Sequence, residues 1–155
     1  MTTVTFSDMG KAMYGINNAP IEAWYAYGYA LITIAGADGN VSKPEMDWLI
    51  NHFAAVGAPQ MVLDAWQAFD AATGDLDHLL GQLSSDIPLN YARVLLYDAI
   101  RMARADDNYA REERDAVAKA ARILRIDSAT AGTIESVVDM ESAVNKARQS
   151  LFMAE

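Results

Sequence analysis

Two short acidic segments hold the side chains of this chain that are best suited to chemistry. Each supplies an aspartate, an asparagine two places later and a glutamate seven places after the aspartate. Carboxylate and amide oxygens that converge from one turn can bind a hard divalent cation, calcium or magnesium in preference to zinc. The candidate metal ligands are Asp38, Asn40, Glu45, Asp106, Asn108 and Glu113.

The first segment also has an explanation without a metal. Ser42 and Glu45 have the spacing of a capping box, in which each side chain bonds the backbone amide of the other at the start of a helix. An EF-hand that began at Asp38 would require glycine at its sixth place and glutamate at its twelfth, where the chain has Lys43 and Leu49. The segment is therefore not an EF-hand, and capping by solvated acids stays open as its whole role.

The second segment argues against capping as the whole explanation. It has Ala110 at the place that corresponds to Ser42, so the capping hydroxyl is lost while aspartate, asparagine and glutamate persist. Carboxylates that are brought together repel one another unless a cation or a basic partner offsets their charge. A cation site or a partner site therefore stands as the alternative to capping.

Both segments lie in an internal repeat with an offset of 68 residues. Each copy reads as a long buried helix, an acidic turn and an amphipathic helix, within residues 20–56 and 88–124. The predicted helices are 20–37 and 43–56 in the first copy and 88–105 and 110–124 in the second. Two such hairpins are expected to pack about an approximate twofold, with the acidic segments facing one another across a groove. The identical pairs are Tyr29 and Tyr97, Ala35 and Ala103, Ala37 and Ala105, Asp38 and Asp106, Asn40 and Asn108, Glu45 and Glu113, and Asp47 and Asp115.

Helical periodicity runs through the rest of the chain as well. Further helices are expected over 59–71 and 75–83 and from about 128 onward, and no strand is expected. The chain has 155 residues, of which 52% are hydrophobic, enough for one core without disulfides. The sequence therefore predicts an all-α protein: one domain over residues 1–155, built as a single compact bundle of about seven or eight helices with two pseudo-twofold-related helix hairpins.

Composition restricts the partners and the compartment. The absence of cysteine excludes thiolate metal sites and cysteine nucleophiles, and the net charge of -9 disfavours nucleic acid and anionic lipid. The most apolar stretch, residues 23–37, is shorter than the roughly 20 residues that span a bilayer, so no direct membrane insertion is expected. With no signal-peptide pattern at the N-terminus, a cytoplasmic location is expected.

No motif in the chain specifies a reaction. Phosphate loops, nucleophile elbows and metalloprotease motifs are absent, and His52 and His78 have no second ligand at metal-binding spacing. The aromatic residues of the first core helix are expected to pack inside. The arginines between 101 and 125 are expected to pair with Asp107, Glu112 and Asp115. The sequence therefore predicts a protein that is not an enzyme.

The junctions resemble those of the TerB family of tellurite resistance proteins. A helix ends in Ala-x-Ala-Asp-Gly, a polar turn follows, a glutamate stands three residues into the next helix, and the second copy closes on Ile-Leu-x-Ile-Asp. Related segments occur at the N-terminus of a membrane-anchored DnaJ-like co-chaperone. The resemblance covers residues 20–150, and the chain departs from the family pattern at Asp107, in place of the second glycine, and at Ala110.

The resemblance implies a bundle of about seven helices in which Asp38, Glu45, Asp106 and Glu113 form a metal or partner surface. It also implies a place in membrane-associated assemblies of the tellurite or stress response. The expected function is a non-enzymatic binding or scaffold module that engages a divalent cation, a basic protein partner, or both. The alternative is a structural homo-oligomeric helical protein in which the acids only cap helices.

Overall fold

The computed structural model describes residues 2–86, 91–106, 109 and 111–153. Eight α-helices account for most of these residues, and two strands and two short 3-10 turns, Gly36–Asp38 and Ala71–Thr73, complete the described part of the chain. The strands are β1 (Thr3–Thr5) and β2 (Asn18–Pro20), and the helices are α1 (Asp8–Tyr14), α2 (Ile21–Ala35), α3 (Lys43–Val56), α4 (Gln60–Ala68), α5 (Leu76–Asp86), α6 (Tyr91–Ala103), α7 (Arg111–Ile123) and α8 (Ser128–Phe152).

The two predicted hairpins are α2 with α3 and α6 with α7. Helix α2 packs against both helices of the second hairpin, and α3 packs against α6. These contacts fit an approximate twofold axis between the hairpins, because the first helix of each hairpin then packs against both helices of the other. The predicted all-α fold with paired hairpins is confirmed.

Helix α2 lies at the centre of the core, and small residues let its neighbours approach closely. A Cβ atom on Gly28 would lie 2.0 Å from Cε2 of Trp66 in α4. The Trp66 side chain is fully buried there, and its indole N–H donates to the backbone carbonyl of Tyr25 at 3.2 Å. The glycine therefore fixes how closely α4 approaches α2.

The first core helix is shorter than predicted at both ends. It begins at Ile21, since Pro20 closes β2, and it ends at Ala35 instead of residue 37. The next three residues tighten into the 3-10 turn Gly36–Asp38, which Gly39 ends with a left-handed φ of 99°. This turn moves the first acidic segment out of the helix.

The other predicted helices are present with small changes of bounds. Helices α3 and α8 begin where they were predicted, and α4 and α5 correspond to the predicted helices 59–71 and 75–83. The predicted starts of the second hairpin's helices, at residues 88 and 110, lie outside the described residues.

Two short strands are present where none was expected. They pair antiparallel, with Thr3 opposite Pro20 and Thr5 opposite Asn18. Strands of three residues are too short to show an alternating pattern in the sequence. Between them lies α1, a helix that the prediction did not place, capped by the Ser7 hydroxyl, which accepts the backbone N–H of Gly10 at 3.0 Å.

Helix α8 packs against α6 with its first half and leaves its second half exposed. Val138 is buried, whereas Met140, Val144 and Leu151 are 60%, 53% and 75% exposed. Across the described residues, no helix combines the length and the apolar character needed to cross a membrane.

Candidate functional site

The first acidic segment starts α3 with the predicted capping box. The backbone N–H of Ser42 donates to Oε1 of Glu45 at 2.8 Å, and the backbone N–H of Glu45 donates to Oγ of Ser42 at 3.3 Å. Only 1% of Glu45 is exposed. Capping therefore accounts for Oε1, while the carboxyl as a whole lies in the interior, where an ordinary capping glutamate has no need to be.

The second hairpin repeats this placement with Glu113. It is the third residue of α7, as Glu45 is the third residue of α3, and it too is 1% exposed. The 3-10 turn of the first junction packs against α7. The repeat therefore brings two buried glutamates from opposite hairpins to one place.

The carboxyl of Glu113 lies close to that of Glu45, near enough to act on its pKa as a hydrogen-bond partner. Oε2 of Glu45 is buried and accepts neither an N–H nor a hydroxyl group of the described residues. Burial raises the pKa of Glu45, hydrogen bonds with Glu113 and Ser42 lower it in part, and the negative charge of Asp106 raises it further. Two ionised carboxylates repel each other and neither can donate a hydrogen bond, so a proton or a cation between them would stabilise the pair.

The described residues among the other predicted metal ligands are less buried than the two glutamates. Asp38 and Asn40 are exposed, and Oδ1 of Asp38 accepts the backbone N–H of Asn40 at 3.1 Å. Asp106 is half-buried, and Asn108 lies outside the described residues. In the part of the chain that is described, no group of three or more histidine, aspartate or glutamate side chains is arranged to hold a metal ion.

A second buried carboxyl, Asp98 of α6, lies at the junction of three helices. It is fully buried, and its Oδ2 accepts the Tyr27 hydroxyl at 2.7 Å and the Tyr14 hydroxyl at 3.0 Å. The Tyr14 oxygen lies 2.7 Å from Nε2 of His52. Since the single hydroxyl proton of Tyr14 is directed to Asp98, Nε2 of His52 must be the donor in that contact. Arg101 lies 3.5 Å from Oδ1.

Burial sets the protonation of this network. It raises the pKa of Asp98 to about 6, although the hydrogen bond from Tyr27 and the charge of Arg101 lower it in part. Burial and the nearby Arg101 lower the pKa of His52 to about 4, so the imidazole is neutral at pH 7. The network joins α1, α2, α3 and α6 around one carboxyl.

Sequence reasoning missed Asp98 and assigned nothing to His52. The repeat offers no help, because the position equivalent to Asp98 in the first hairpin is Ala30. An aspartate within the apolar stretch of residues 95–100 is the signal that would have found it, since an unpaired acid is rarely tolerated on a buried helix face.

Two of the arginines have acidic partners other than the predicted ones, of which Asp107 lies outside the described residues. Arg101 approaches Asp98 on its own helix, and Arg104 contacts Asp139 of α8. Both side chains turn toward the neighbouring helix α8 and the core, since α6 and α8 are packed together.

The fold and the site define a class: an all-helical domain made of two related hairpins, with a buried glutamate from each meeting between them. The sequence model of the family described as tellurite resistance protein TerB matches residues 26–135, well over half of the chain. This chain belongs to the TerB family.

Among solved structures, the chain is similar to a tellurite resistance protein from Nostoc punctiforme PCC 73102. The two share 25% sequence identity with a TM-score of 0.77, and the match covers 96% of this chain and 97% of that one. No significant match is found among curated proteins. The family and the all-helical fold point to a domain without catalytic activity.

Proposed function

We propose that this TerB-family domain is a non-enzymatic binding module whose buried glutamate pair takes up a divalent cation, calcium or magnesium. The single observation that carries the proposal is the meeting of the Glu45 and Glu113 carboxyls inside the protein. Asp106 adds a third negative charge to the pair. The exposed residues Asp38 and Asn40 belong to the proposed ligand set, and so does Asn108, which lies outside the described residues.

The energetic argument starts from the cost of burying two acids together. Two carboxylates in a low-dielectric site repel each other, and each loses its hydration. A proton between them relieves the repulsion, and a divalent cation relieves it more completely because it neutralises both charges. Magnesium is commonly held in proteins by one or two carboxylates with water completing the shell, so two glutamates suffice for it.

The cation would connect the two hairpins, and this connection is how we expect cation binding to affect partner binding. Glu45 and Glu113 come from opposite halves of the bundle, so an ion between them stabilises one arrangement of the halves. We infer that the cation-bound arrangement is the one that a protein partner binds, through the exposed acidic residues around Asp38. The Nostoc protein is named a tellurite resistance protein, and a role in tellurite or stress response with a membrane-associated partner is part of the proposal.

The test is a titration of metal-stripped protein, followed by amide chemical shifts in NMR. Calcium, magnesium and then zinc are added to the wild type and to the double variant Glu45→Gln with Glu113→Gln. The matched control is Glu112→Gln, which makes the same glutamate-to-glutamine change at the exposed neighbour of Glu113. Shifts at residues 38–45 and 111–113 in the wild type and the control, absent in the double variant, support the proposal.

Two results would overturn this function. One is the absence of shifts at millimolar calcium and magnesium in the wild type. The other is binding that survives in the double variant. A second double variant, Asp38→Asn with Asp106→Asn, is expected to abolish binding with the fold intact, and unchanged binding there would remove those two residues from the ligand set.

A structural homo-oligomer is the second candidate, and one observation favours it. The second half of α8 exposes Met140, Val144, Leu151 and Phe152, a set of apolar side chains that a monomer leaves in water. In this alternative the acids only cap helices, as the Ser42 capping box does. Size-exclusion chromatography with light scattering separates the candidates, since a strict monomer at all concentrations contradicts the oligomer.

A further inference from the structure

A cleft of about 800 Å³ lies between α6, α7 and the second half of α8. Four of its lining side chains are cationic, and one, Glu141, is acidic. Among these lining side chains four cations stand against one acid, while Asp98 and Asp139, which do not line the cleft, pair with Arg101 and Arg104. The cationic side chains are Arg101, Arg104, Arg114 and Lys146.

Aromatic rings hold the arginines of the cleft in place. The guanidinium of Arg101 lies 5.1 Å from the ring centre of Trp48 and 4.8 Å from that of Tyr97. The guanidinium of Arg114 lies 4.4 Å from the ring of Tyr109 and donates from Nε to the Tyr109 carbonyl at 3.1 Å. Stacked guanidinium groups lose less freedom when an anion binds, because their planes are already oriented.

The acid in the cleft is already engaged. Both carboxylate oxygens of Glu141 lie within 2.7 Å of the Tyr97 hydroxyl. The other groups that α8 contributes are mostly neutral polar side chains, Ser142, Asn145 and Gln149, which can donate to an anion. The cleft thus presents cations and neutral donors to whatever enters it.

We propose that this cleft binds a small polyanion that carries at least two phosphate groups. A phosphate group has a charge of about -1.5 to -2 at pH 7, so two of them offer about three to four negative charges to the four cationic side chains of the lining. Arginine forks fit phosphate oxygens in pairs. Glu45 and Glu113 do not line the cleft, so this proposal stands independently of the cation site.

The aromatic rings of the cleft already contact arginine or histidine side chains, and this affects which part of a ligand the cleft can bind. Trp48 has Arg101 near its ring and His52 stacked on it at 4.9 Å with an interplanar angle of 11°. Tyr109 has Arg104 and Arg114 near its ring. Because both aromatic rings of the described lining already have a guanidinium or an imidazole against them, we take the phosphates as the recognised group, whether they come from inorganic pyrophosphate or from a nucleotide.

The experiment is isothermal titration of the full chain with sodium pyrophosphate and, separately, with ATP, in chelator and without divalent metals. The variants are the double change Arg114→Gln with Lys146→Gln, and Lys146→Gln alone, both at exposed residues of the cleft. The matched control is Arg122→Gln, which removes a charge from an exposed arginine of α7 outside the cleft.

The wild type is expected to bind both probes, and more weakly as salt is raised, since screening weakens exposed charge pairs. The double variant should bind at least about tenfold more weakly, the loss expected when charge-assisted hydrogen bonds are removed. The affinity of the single variant should also be lower than that of the wild type. The affinity of the control should stay within about twofold of the wild type. Equal affinity for the two probes identifies phosphates alone as the ligand, and tighter binding of ATP identifies a nucleotide as the source.

Two outcomes overturn the proposal. The first is an absence of binding of either probe at millimolar concentration. The second is an equal loss of affinity in the control and in the cleft variants, which would show attraction to general positive charge instead of a site. Amide spectra of each variant confirm that it is folded, and Lys146→Gln keeps the test valid if the double variant is unfolded.

Discussion

Replacement of Asp98 by asparagine should remove a pH dependence that this one carboxyl imposes on stability. The aspartate is fully buried, and burial raises its pKa from 3.8 to about 6. Between those two values the unfolded chain releases the proton while the folded chain keeps it. The free energy of unfolding therefore falls as pH rises through this window. The difference in pKa corresponds to about 3 kcal/mol once both states are ionised.

Urea unfolding at a series of pH values from 3.5 to 7.5, about the span of the two pKa values with a margin on each side, measures this contribution. The quantity to follow is the free energy of unfolding of the wild type minus that of Asp98→Asn, because other titrating groups, Glu45 among them, cancel in the difference. We expect it to fall by about 3 kcal/mol between acid and neutral pH and to level off above pH 6.

A difference that stays constant, or one that grows with pH, would refute the reasoning. The first result would mean that Asp98 titrates alike in both states. The second would mean that Arg101 and the tyrosine hydroxyls stabilise the carboxylate more than burial disfavours it. Carboxyl carbon shifts of Asp98, measured by NMR against pH, give its pKa directly.

Three further substitutions test the packing of α2 on α4, the cap of α3 and the hydrogen bond from Tyr27 to Asp98. Gly28→Ala should destabilise the fold by about 1–3 kcal/mol, measured by urea unfolding, because the new methyl group overlaps the Trp66 indole. Ser42→Ala should cost about 1 kcal/mol in the same assay, through loss of the cap of α3. Tyr27→Phe should raise the pKa of Asp98 above its wild-type value, seen in the carboxyl shifts, since the hydrogen bond from Tyr27 lowers it.

Each of these has a matched control in the chain. Gly132→Ala in α8 meets open space and should stabilise by about 0.5–1 kcal/mol, so a similar gain at Gly28 would contradict the close approach. Ser136→Ala removes a hydroxyl from an exposed position within α8 and should have little effect. Tyr25→Phe changes a hydroxyl outside the Asp98 network, and an equal shift of the Asp98 pKa there would remove the role given to Tyr27.

Most of the fold could be predicted because the hydrophobic period and the capping signals agree. Ser42 and Glu45 mark the start of α3, and Gly57 ends it with a left-handed φ of 118°. The repeat indicated two hairpins, and the packing of α2 and α3 on α6 bears this out. The strands could not be predicted, because their pairing of Thr3 with Pro20 is a tertiary contact across α1.

The candidate site could be predicted only in part, because the sequence does not show which acidic side chains are buried. The spacing of seven from Asp38 to Glu45 and from Asp106 to Glu113 singled out the two segments whose glutamates are buried near each other in the structure. Spacing alone could not tell which of these acids point inward. The 3-10 turn leaves Asp38 exposed, while the capping box holds Glu45 in the interior.

The network around Asp98 could not be predicted from the sequence at all. Its members come from helices that are distant in sequence, since Asp98 follows Tyr14 by 84 positions and Tyr27 by 71 positions. No local pattern relates them. A single buried acid without a repeat partner is recognised only when the helices that cover it have been placed.

The most direct test of the proposed function is a titration of the Glu45 carboxyl by carbon-detected NMR, with and without saturating calcium or magnesium. Because burial beside Glu113 raises the pKa of Glu45, the metal-free protein should show Glu45 titrating above the ordinary range of a glutamate. A cation between the two carboxyls competes with protons, so metal should move this titration to lower pH. A Glu45 titration that is the same with and without metal would contradict a cation site between the hairpins.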